Sequence, residues 1–265
     1  MVNPLTCPVP PEVPLTNPPL KLAIAQIRFP TNLGINQPNS PAVAAFQEYL
    51  QKDYPLYQMT TDTGIALNNI GVQVAASSPP RHVFKSDSGW SVSLTQDFVL
   101  LATTCYRTRD DFKAKVHRIA ESIKECLNPP YATRLGIRFL NRIEEDKTKK
   151  IDQFVNPAFW GSLATLHADT EFMITKAVLV PSKSEAESMI IHWGYLPPYQ
   201  SFEFEEIPPH DAPCWILDLD IQAGEYEGFD PAKIAEDAMV LTGRTYAFFR
   251  HVFNDKFLIS CGGKL

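Results

Sequence analysis

The stretch "RLGIRFLNRI", residues 134–143, indicates how this chain is built. It reads as a β-strand, and its Ile-Arg-Phe at 137–139 repeats the Ile-Arg-Phe at 27–29, inside the earlier stretch "KLAIAQIRF" (21–29). The order of the predicted elements repeats too, because each half of the chain reads strand, helix, several strands and helix. We interpret this repetition as an internal duplication within an α+β fold.

The sequence predicts three segments along the chain, an arm followed by two modules. Residues 1–20 form an extended arm, because seven of the 23 prolines fall there and proline suits extended backbone better than helix or sheet. This arm either lies as a strap over the body or docks to a partner protein. Residues 21–130 form a first β-α-β-β-β-α module and residues 131–265 a second. We expect them to pack as one globular unit, with a mainly antiparallel sheet, or two abutting sheets, and helices on one face.

Capping residues mark three helices. Ser40 is a suitable N-cap before Pro41, and Asp230 is a suitable N-cap before Pro231, since proline is favoured at the first helical position. Asp110 is the expected cap of a third helix. That helix carries one apolar stripe, made of Phe112, Val116, Ile119, Ile123 and Leu127.

Alternating and continuous apolar runs predict the remaining elements. A hairpin is expected over 90–107, where apolar and polar residues alternate as in a half-buried strand. A helix interrupted by Pro157 is expected over 151–166. Further strands are expected at about 56–60, 65–75, 80–86, 171–181, 188–197 and 214–222.

Composition narrows the functional classes. The chain has 265 residues, 45% of them hydrophobic, so it can bury a substantial core. Its formal net charge of −6 disfavours a general nucleic-acid binder, which needs a basic face to displace counterions. Five cysteines without a C-x-x-C pair are typical of a reducing compartment. No apolar run approaches the roughly 20 residues that span a bilayer, so we expect a cytoplasmic protein that does not engage the membrane.

The repeated strands direct their arginines away from their hydrophobic side chains, because successive side chains of a strand point to opposite faces. The same parity assigns polar residues of two later strands to a polar face. The candidate binding residues are Arg28, Arg134, Arg138, Arg142, Asp218, Asp220 and His192.

Two interpretations of this polar face stay open. In one, the face is solvated and carries cross-strand pairs such as Arg138 with Asp218 or Asp220, each worth at most about 1 kcal/mol when exposed. In the other, the forked guanidinium groups hold an anionic ligand or an acidic segment of a partner.

No motif in the sequence identifies a reaction. A phosphate-binding P-loop, a G-x-S-x-G nucleophile elbow and an H-E-x-x-H zinc motif are all missing. The stretch "DLDIQAGEYEGF" (218–229) departs from a calcium loop at Ala223 and Phe229, so no calcium site is expected. A magnesium site on Asp218 and Asp220, and a cysteine–histidine dyad, are minor alternatives. We expect no cofactor.

Aromatic residues crowd the second half of the chain. They form either a hydrophobic core or the wall of a small-molecule cavity between the sheet and the long helix. These residues are Phe159, Trp160, Phe172, Trp193, Tyr195, Trp215, Phe248 and Phe249. Cys105, Cys126 and Cys214 are expected to fill core positions.

Several phrases together resemble a known family. They include "NPPL" (17–20) before the first strand, W-x-V-x-L-x-x-D-F (90–98), T-x-Y (104–106), "RLGIRFLNRI" (134–143) and "LDLD" (217–220). The chain is similar to an uncharacterised, sporadically distributed prokaryotic family of about this length, which carries the strand motif RLG-[IL]-R-[FY]-[IL]-N. The resemblance implies no catalytic residues. Its scattered distribution is similar to that of horizontally transferred defence or toxin–antitoxin genes.

Our leading expectation is a non-enzymatic, cytosolic binding or regulatory protein that engages a protein partner through its polar face or its arm. The resemblance implies a role in a prokaryotic accessory system. One alternative is a small-molecule sensor or carrier with an aromatic pocket between the halves. Another is a metal-dependent enzyme that uses Asp218 and Asp220. A homodimer is also left open.

Overall fold

A computed structural model describes most of the chain. The described residues are 6, 8–37, 39–61, 65–68, 71–74, 79–160, 172–180, 187–200 and 207–265. Within them the fold is α+β, with one large antiparallel nine-stranded sheet and six α-helices. This bears out the predicted α+β class and the antiparallel sheet.

The strands and helices have the following bounds. The strands are β1 (Leu20–Arg28), β2 (Leu56–Thr60), β3 (Ile65–Asn68), β4 (Gly71–Val74), β5 (Arg81–Lys85), β6 (Trp90–Leu94), β7 (Phe98–Thr103), β8 (Arg134–Ile143), β9 (Met173–Leu179), β10 (Glu187–Leu196) and β11 (Cys214–Gly224). The helices are α1 (Pro41–Leu50), α2 (Arg109–Cys126), α3 (Glu145–Thr148), α4 (Ile151–Phe154), α5 (Pro231–Val252) and α6 (Asp255–Ser260).

The large sheet has the strand order β2-β5-β6-β7-β1-β8-β11-β10-β9. The stretch 65–75, predicted as one strand, instead forms the separate hairpin of β3 and β4 as far as it is described, with Asn68 paired to Gly71. Asparagine and glycine are depleted in strands, so Asn68 and Gly71 favour two short strands over one long strand. Residue 75 lies outside the described residues.

The chain forms two compact units, of which one comprises Ile24–Leu135 and Gly224–Ala238. Its core includes edge-to-face contact between Phe46 of α1 and Phe84 of β5, whose ring centroids are 5.4 Å apart. The expected polar face of the 90–107 hairpin is largely covered too, because Ser93 and Thr95 are buried. The hairpin is therefore more deeply buried than its alternation predicts.

The helix caps agree with the sequence at two positions and differ at one. Ser40 accepts a hydrogen bond from the Val43 backbone N–H, and Asp230 accepts from the first-turn amides of α5, as predicted. The cap of α2 is Thr108 rather than Asp110, since the Thr108 hydroxyl accepts from the Asp111 N–H at 3.1 Å. Asp110 falls inside the first turn, where its charge suits the helix dipole.

The other unit comprises Met1–Ala23, Gly136–Ala223 and Met239–Leu265. Its aromatic residues contact one another between strand and helix: Phe159 packs edge-to-face on Trp193 and Phe248, and Trp215 packs on Phe253. These ring contacts belong to the hydrophobic core of the unit, in which Phe159, Trp215, Phe248 and Phe253 are buried. Phe172 differs from them, because 55% of its surface is exposed.

The predicted helix over 151–166 is shorter than expected where it is described. α4 ends at Phe154, and a 3₁₀ turn follows at Pro157–Phe159. Proline restricts the residue before it to extended backbone, so Pro157 separates the two turns instead of sitting within one helix. Residues 161–166 lie outside the described residues.

The N-terminal arm contacts the rest of its unit. The Tyr246 hydroxyl accepts from the Val13 N–H at 2.9 Å and donates to the Pro11 carbonyl at 3.2 Å. The Asn17 N–H donates to the Cys261 carbonyl at 3.0 Å. The arm thus lies along the last helices as a strap over this stretch. None of the described helices combines the length and apolarity needed to cross a membrane.

The cysteines occupy different environments. Cys214 is buried, as expected, and so is Cys261. Cys126 is half-buried, whereas Cys105 is exposed, so the core assignment of Cys105 is wrong. Cys105 follows the end of β7, where the chain leaves the sheet for α2.

Candidate functional site

A buried carboxylate organises the polar face of the sheet in the unit that contains Gly136–Ala223. Asp218 of β11 has no exposed surface, and both of its oxygens accept from the Arg138 guanidinium at 2.8 Å. The Nδ1 of His192 lies 3.1 Å from Oδ2 of the same carboxylate. Because an ionised carboxylate only accepts, this contact places the proton on Nδ1. The three side chains form an Arg–Asp–His triad.

Strand register explains why these residues meet. In the β10–β11 pair His192 lies opposite Asp218, and in the β9–β10 pair Lys176 lies opposite His192. Side chains opposite one another in an antiparallel pair share a face. The sheet therefore carries a polar row of Arg138, Asp218, His192 and Lys176, whose last member is exposed at the edge strand.

The predicted Arg138–Asp218 pair is buried, which raises the expected cost in stability of removing either partner. The pair exists, but it does not face water as the solvated interpretation expected: only 18% of the Arg138 side chain and none of the Asp218 side chain is exposed. Removing one partner of a buried pair costs about 3–5 kcal/mol, because the other charge is left uncompensated. Substitution of either partner alone should therefore destabilise the protein.

Of the remaining predicted residues, Arg142 and Arg28 are engaged away from the triad. Arg142 donates to Glu144 at 2.6 Å and to the Pro208 carbonyl at 2.7 Å. Asp220 lies opposite Ile190 on the triad's face of β11. In the unit that contains Ile24–Leu135, Arg28 donates to Asp97 at 3.3 Å, and half-buried Arg134 begins β8. The seven candidates therefore belong to several separate environments.

Sequence reasoning missed a second polar cluster, centred on Glu144. This carboxylate accepts from Lys21 at 2.9 Å as well as from Arg142. Burial by itself raises the pKa of Glu144, but the hydrogen bonds from Lys21 and Arg142 outweigh it and hold the pKa below its ordinary value. Glu144 directly follows "RLGIRFLNRI", yet no local pattern indicates that Lys21 reaches it.

The metal alternative finds little support at Asp218. Both carboxylate oxygens accept from Arg138, and a guanidinium beside them repels a cation. Among the described residues no group of three or more histidine, cysteine or acidic side chains is arranged to hold a metal ion.

The edge strand β9 carries an unusual exposed stripe. β9 ends the strand order of the sheet and pairs with β10 on one side. Val178 is 57% exposed, and the residues flanking the strand, Phe172 and Val180, are 55% and 58% exposed. Exposed Lys176 interrupts these apolar side chains. We call Phe172, Lys176, Val178 and Val180 the β9 stripe.

Comparison with known proteins adds no family to this description, because no protein family and no curated protein matches the sequence. The resemblance suggested by the strand motif therefore stays a prediction.

Proposed function

We propose that this protein is a non-enzymatic, cytoplasmic binding protein that engages a protein partner through strand β9. The observation that carries the proposal is the β9 stripe, an apolar surface on an edge of the sheet. In line with the resemblance stated above, we place the protein in a prokaryotic accessory system of the defence or toxin–antitoxin kind.

The composition of the stripe supports strand addition by an extended segment of the partner. An edge strand offers unpaired backbone groups, and proteins usually protect such edges with short strands, proline or charge. β9 has seven residues, and only Lys176 in it is charged. Burial of a valine or phenylalanine side chain is worth about 1.5–3 kcal/mol, so covering Phe172, Val178 and Val180 supplies a useful part of a binding free energy.

Lys176 defines the chemistry of the partner. An isolated ammonium between apolar residues favours a segment with an aspartate or glutamate flanked by apolar side chains. A second copy paired with Lys176 opposite Lys176 brings like charges together, which is unfavourable. We therefore assign the stripe to a different protein with an apolar–acidic–apolar strand.

Other surfaces fit the role less well. Arg138 and Arg142 are engaged by carboxylates, and the arm is hydrogen-bonded to Tyr246. The opposite edge strand, β2, is also exposed, but the hydroxyl of its Tyr57 lies 3.0 Å from Nδ1 of His82. β2 also carries the exposed Leu56 and Met59, but it has no charged residue that would select an acidic segment of a partner.

We test the proposal by capture of the partner from native lysate with the tagged full-length chain. Wild type is expected to retain one protein in stoichiometric amount. Val178→Asp and Lys176→Glu should each lower its recovery about tenfold or more, which corresponds to about 1.4 kcal/mol. Lys176→Glu places a negative charge opposite the expected carboxylate, and Val178→Asp places one against an apolar side chain of the partner.

The matched control is Val240→Asp, which makes the same change at a 50% exposed valine of α5. It should recover as much partner as wild type. Equal recovery with Val178→Asp and Val240→Asp would contradict the assignment to β9. So would a strictly monomeric wild type without a stoichiometric partner, or a self-associated wild type that Val178→Asp converts to monomer.

We also propose that the chain arose by duplication of one module. In the first half the last strand, β7, neighbours the first, β1, in the sheet; in the second half β11 neighbours β8 in the same way. The element order strand, helix, strands, helix recurs in both halves. This shared arrangement supports modules over 21–130 and 131–265 better than the Ile-Arg-Phe repeat alone.

A further inference from the structure

A cavity lies beside the Glu144 cluster, within the unit that contains Gly136–Ala223. Its volume is about 340 Å³, within the range typical of small-molecule sites. One wall is the end of the arm, at Asn17–Pro19, and another is α6 with the following Cys261. Lys21, Arg142, Glu144 and Lys147 supply its charged side chains.

The charges that line this cavity do not balance. Among the lining side chains that the structure describes, three are cationic and one is anionic, in a chain whose formal net charge is −6. Glu144 is shared between Lys21 and Arg142 and lies 4.0 Å from Nε2 of His210, whereas the Lys147 ammonium makes no ion pair with a side chain that the structure describes. Burial raises the pKa of the Cys261 thiol, so this residue adds no negative charge. The described part of the lining therefore has an excess of two positive charges.

Hydrogen bonds hold two of these cations, Lys21 and Arg142, in place. Glu144 orients the Lys21 ammonium and the Arg142 guanidinium, and the Pro208 carbonyl accepts from a second Arg142 nitrogen. The backbone N–H of Arg142 donates to the Pro19 carbonyl at 2.9 Å, which holds the arm against this end of β8. Preorganised cations lose little freedom when an anion binds.

We propose that this cavity binds a small phosphate-bearing molecule, with Lys147 as the principal contact of the phosphate. A phosphate group carries a charge near −2 at neutral pH, which matches the excess of positive charge, and its oxygens suit a guanidinium and ammonium groups. Because arm residues form one wall, bound phosphate also holds the arm against α6. This site is separate from the β9 stripe, so either proposal can fail without the other.

Titration with inorganic phosphate tests the site, followed by ³¹P NMR at constant ionic strength in sodium chloride. Wild type is expected to bind phosphate saturably. Lys147→Ala should weaken the affinity about tenfold or more, since a hydrogen bond to a charged group is worth about 1.5–3 kcal/mol. Lys149→Ala removes a lysine of the same segment that is 80% exposed and does not line the cavity, and it should bind phosphate like wild type.

Hydrogen exchange locates the bound phosphate. The Asn17 amide, which donates to Cys261, should exchange more slowly with phosphate present in wild type but not in Lys147→Ala. Absence of saturable phosphate binding would overturn the proposal. So would equal affinities of the two lysine variants for phosphate, or an exchange rate of the Asn17 amide that phosphate does not change. Succinate bound as tightly as phosphate would overturn the assignment to phosphate.

Discussion

Two ion pairs with similar composition have different environments in this protein. Arg138 and Asp218 meet through two hydrogen bonds of 2.8 Å around a fully buried carboxylate. Arg28 and Asp97 meet at 3.3 Å, with 40% and 34% of their side chains exposed. Because water screens exposed charges, the first pair should matter far more for stability than the second.

Matched substitutions measure this contrast. Asp218→Asn keeps the shape of the side chain but leaves Arg138 without its counter-charge, so we expect the free energy of unfolding to fall by about 3 kcal/mol. Asp97→Asn should lower it by less than about 1 kcal/mol. Urea unfolding measures both values. Similar small losses would mean that Asp218 behaves as a surface group.

At the scale of the residue, the sequence predicted which face of a strand a side chain occupies better than how deeply that side chain is buried. Strand parity correctly suggested that Arg138 could pair with Asp218, because the two-residue period of a strand is local. It could not reveal that Asp218 is fully buried, since burial depends on neighbouring strands and covering segments. The cap of α2 shows the same limit: Thr108 and Asp110 are both good caps, and only the helix start distinguishes them.

At the scale of the element, the arm depends on a glycine near the end of the chain. Gly262 has φ +81°, a left-handed conformation that glycine adopts at little cost. A Cβ added there would lie 2.8 Å from the Thr16 side chain, and Thr16 donates to the Gly262 carbonyl at 3.4 Å. The close approach of arm and C-terminal segment therefore requires glycine at this position.

Gly262→Ala should detach this part of the arm. The substitution introduces backbone strain of about 1–2 kcal/mol and a clash with Thr16, so proteolysis between residues 8 and 17 should be faster than in wild type. Gly228→Ala is the control, because a Cβ there meets no atom within 4 Å. Equal cleavage of the arm in the two variants would contradict the role of Gly262.

At the scale of the whole molecule, the sequence predicted the α+β class and the antiparallel sheet from local periodicity. Boundaries at caps such as Ser40 and Asp230 followed from the same local chemistry. The Glu144 cluster was missed because Lys21 and Glu144 are far apart in sequence, and their contact depends on the pairing of distant segments. The β9 stripe was missed because sequence does not reveal which strand ends the sheet.

Hydrogen exchange in the complex tests most directly whether the partner binds by adding a strand to β9. Strand addition pairs the outer amides of β9, so exchange across Met173–Leu179 should slow about tenfold or more when the captured partner is bound, while the edge strand β2 stays unchanged. Unchanged exchange in β9, with protection on another surface of the bound protein, would contradict the proposed mode of binding.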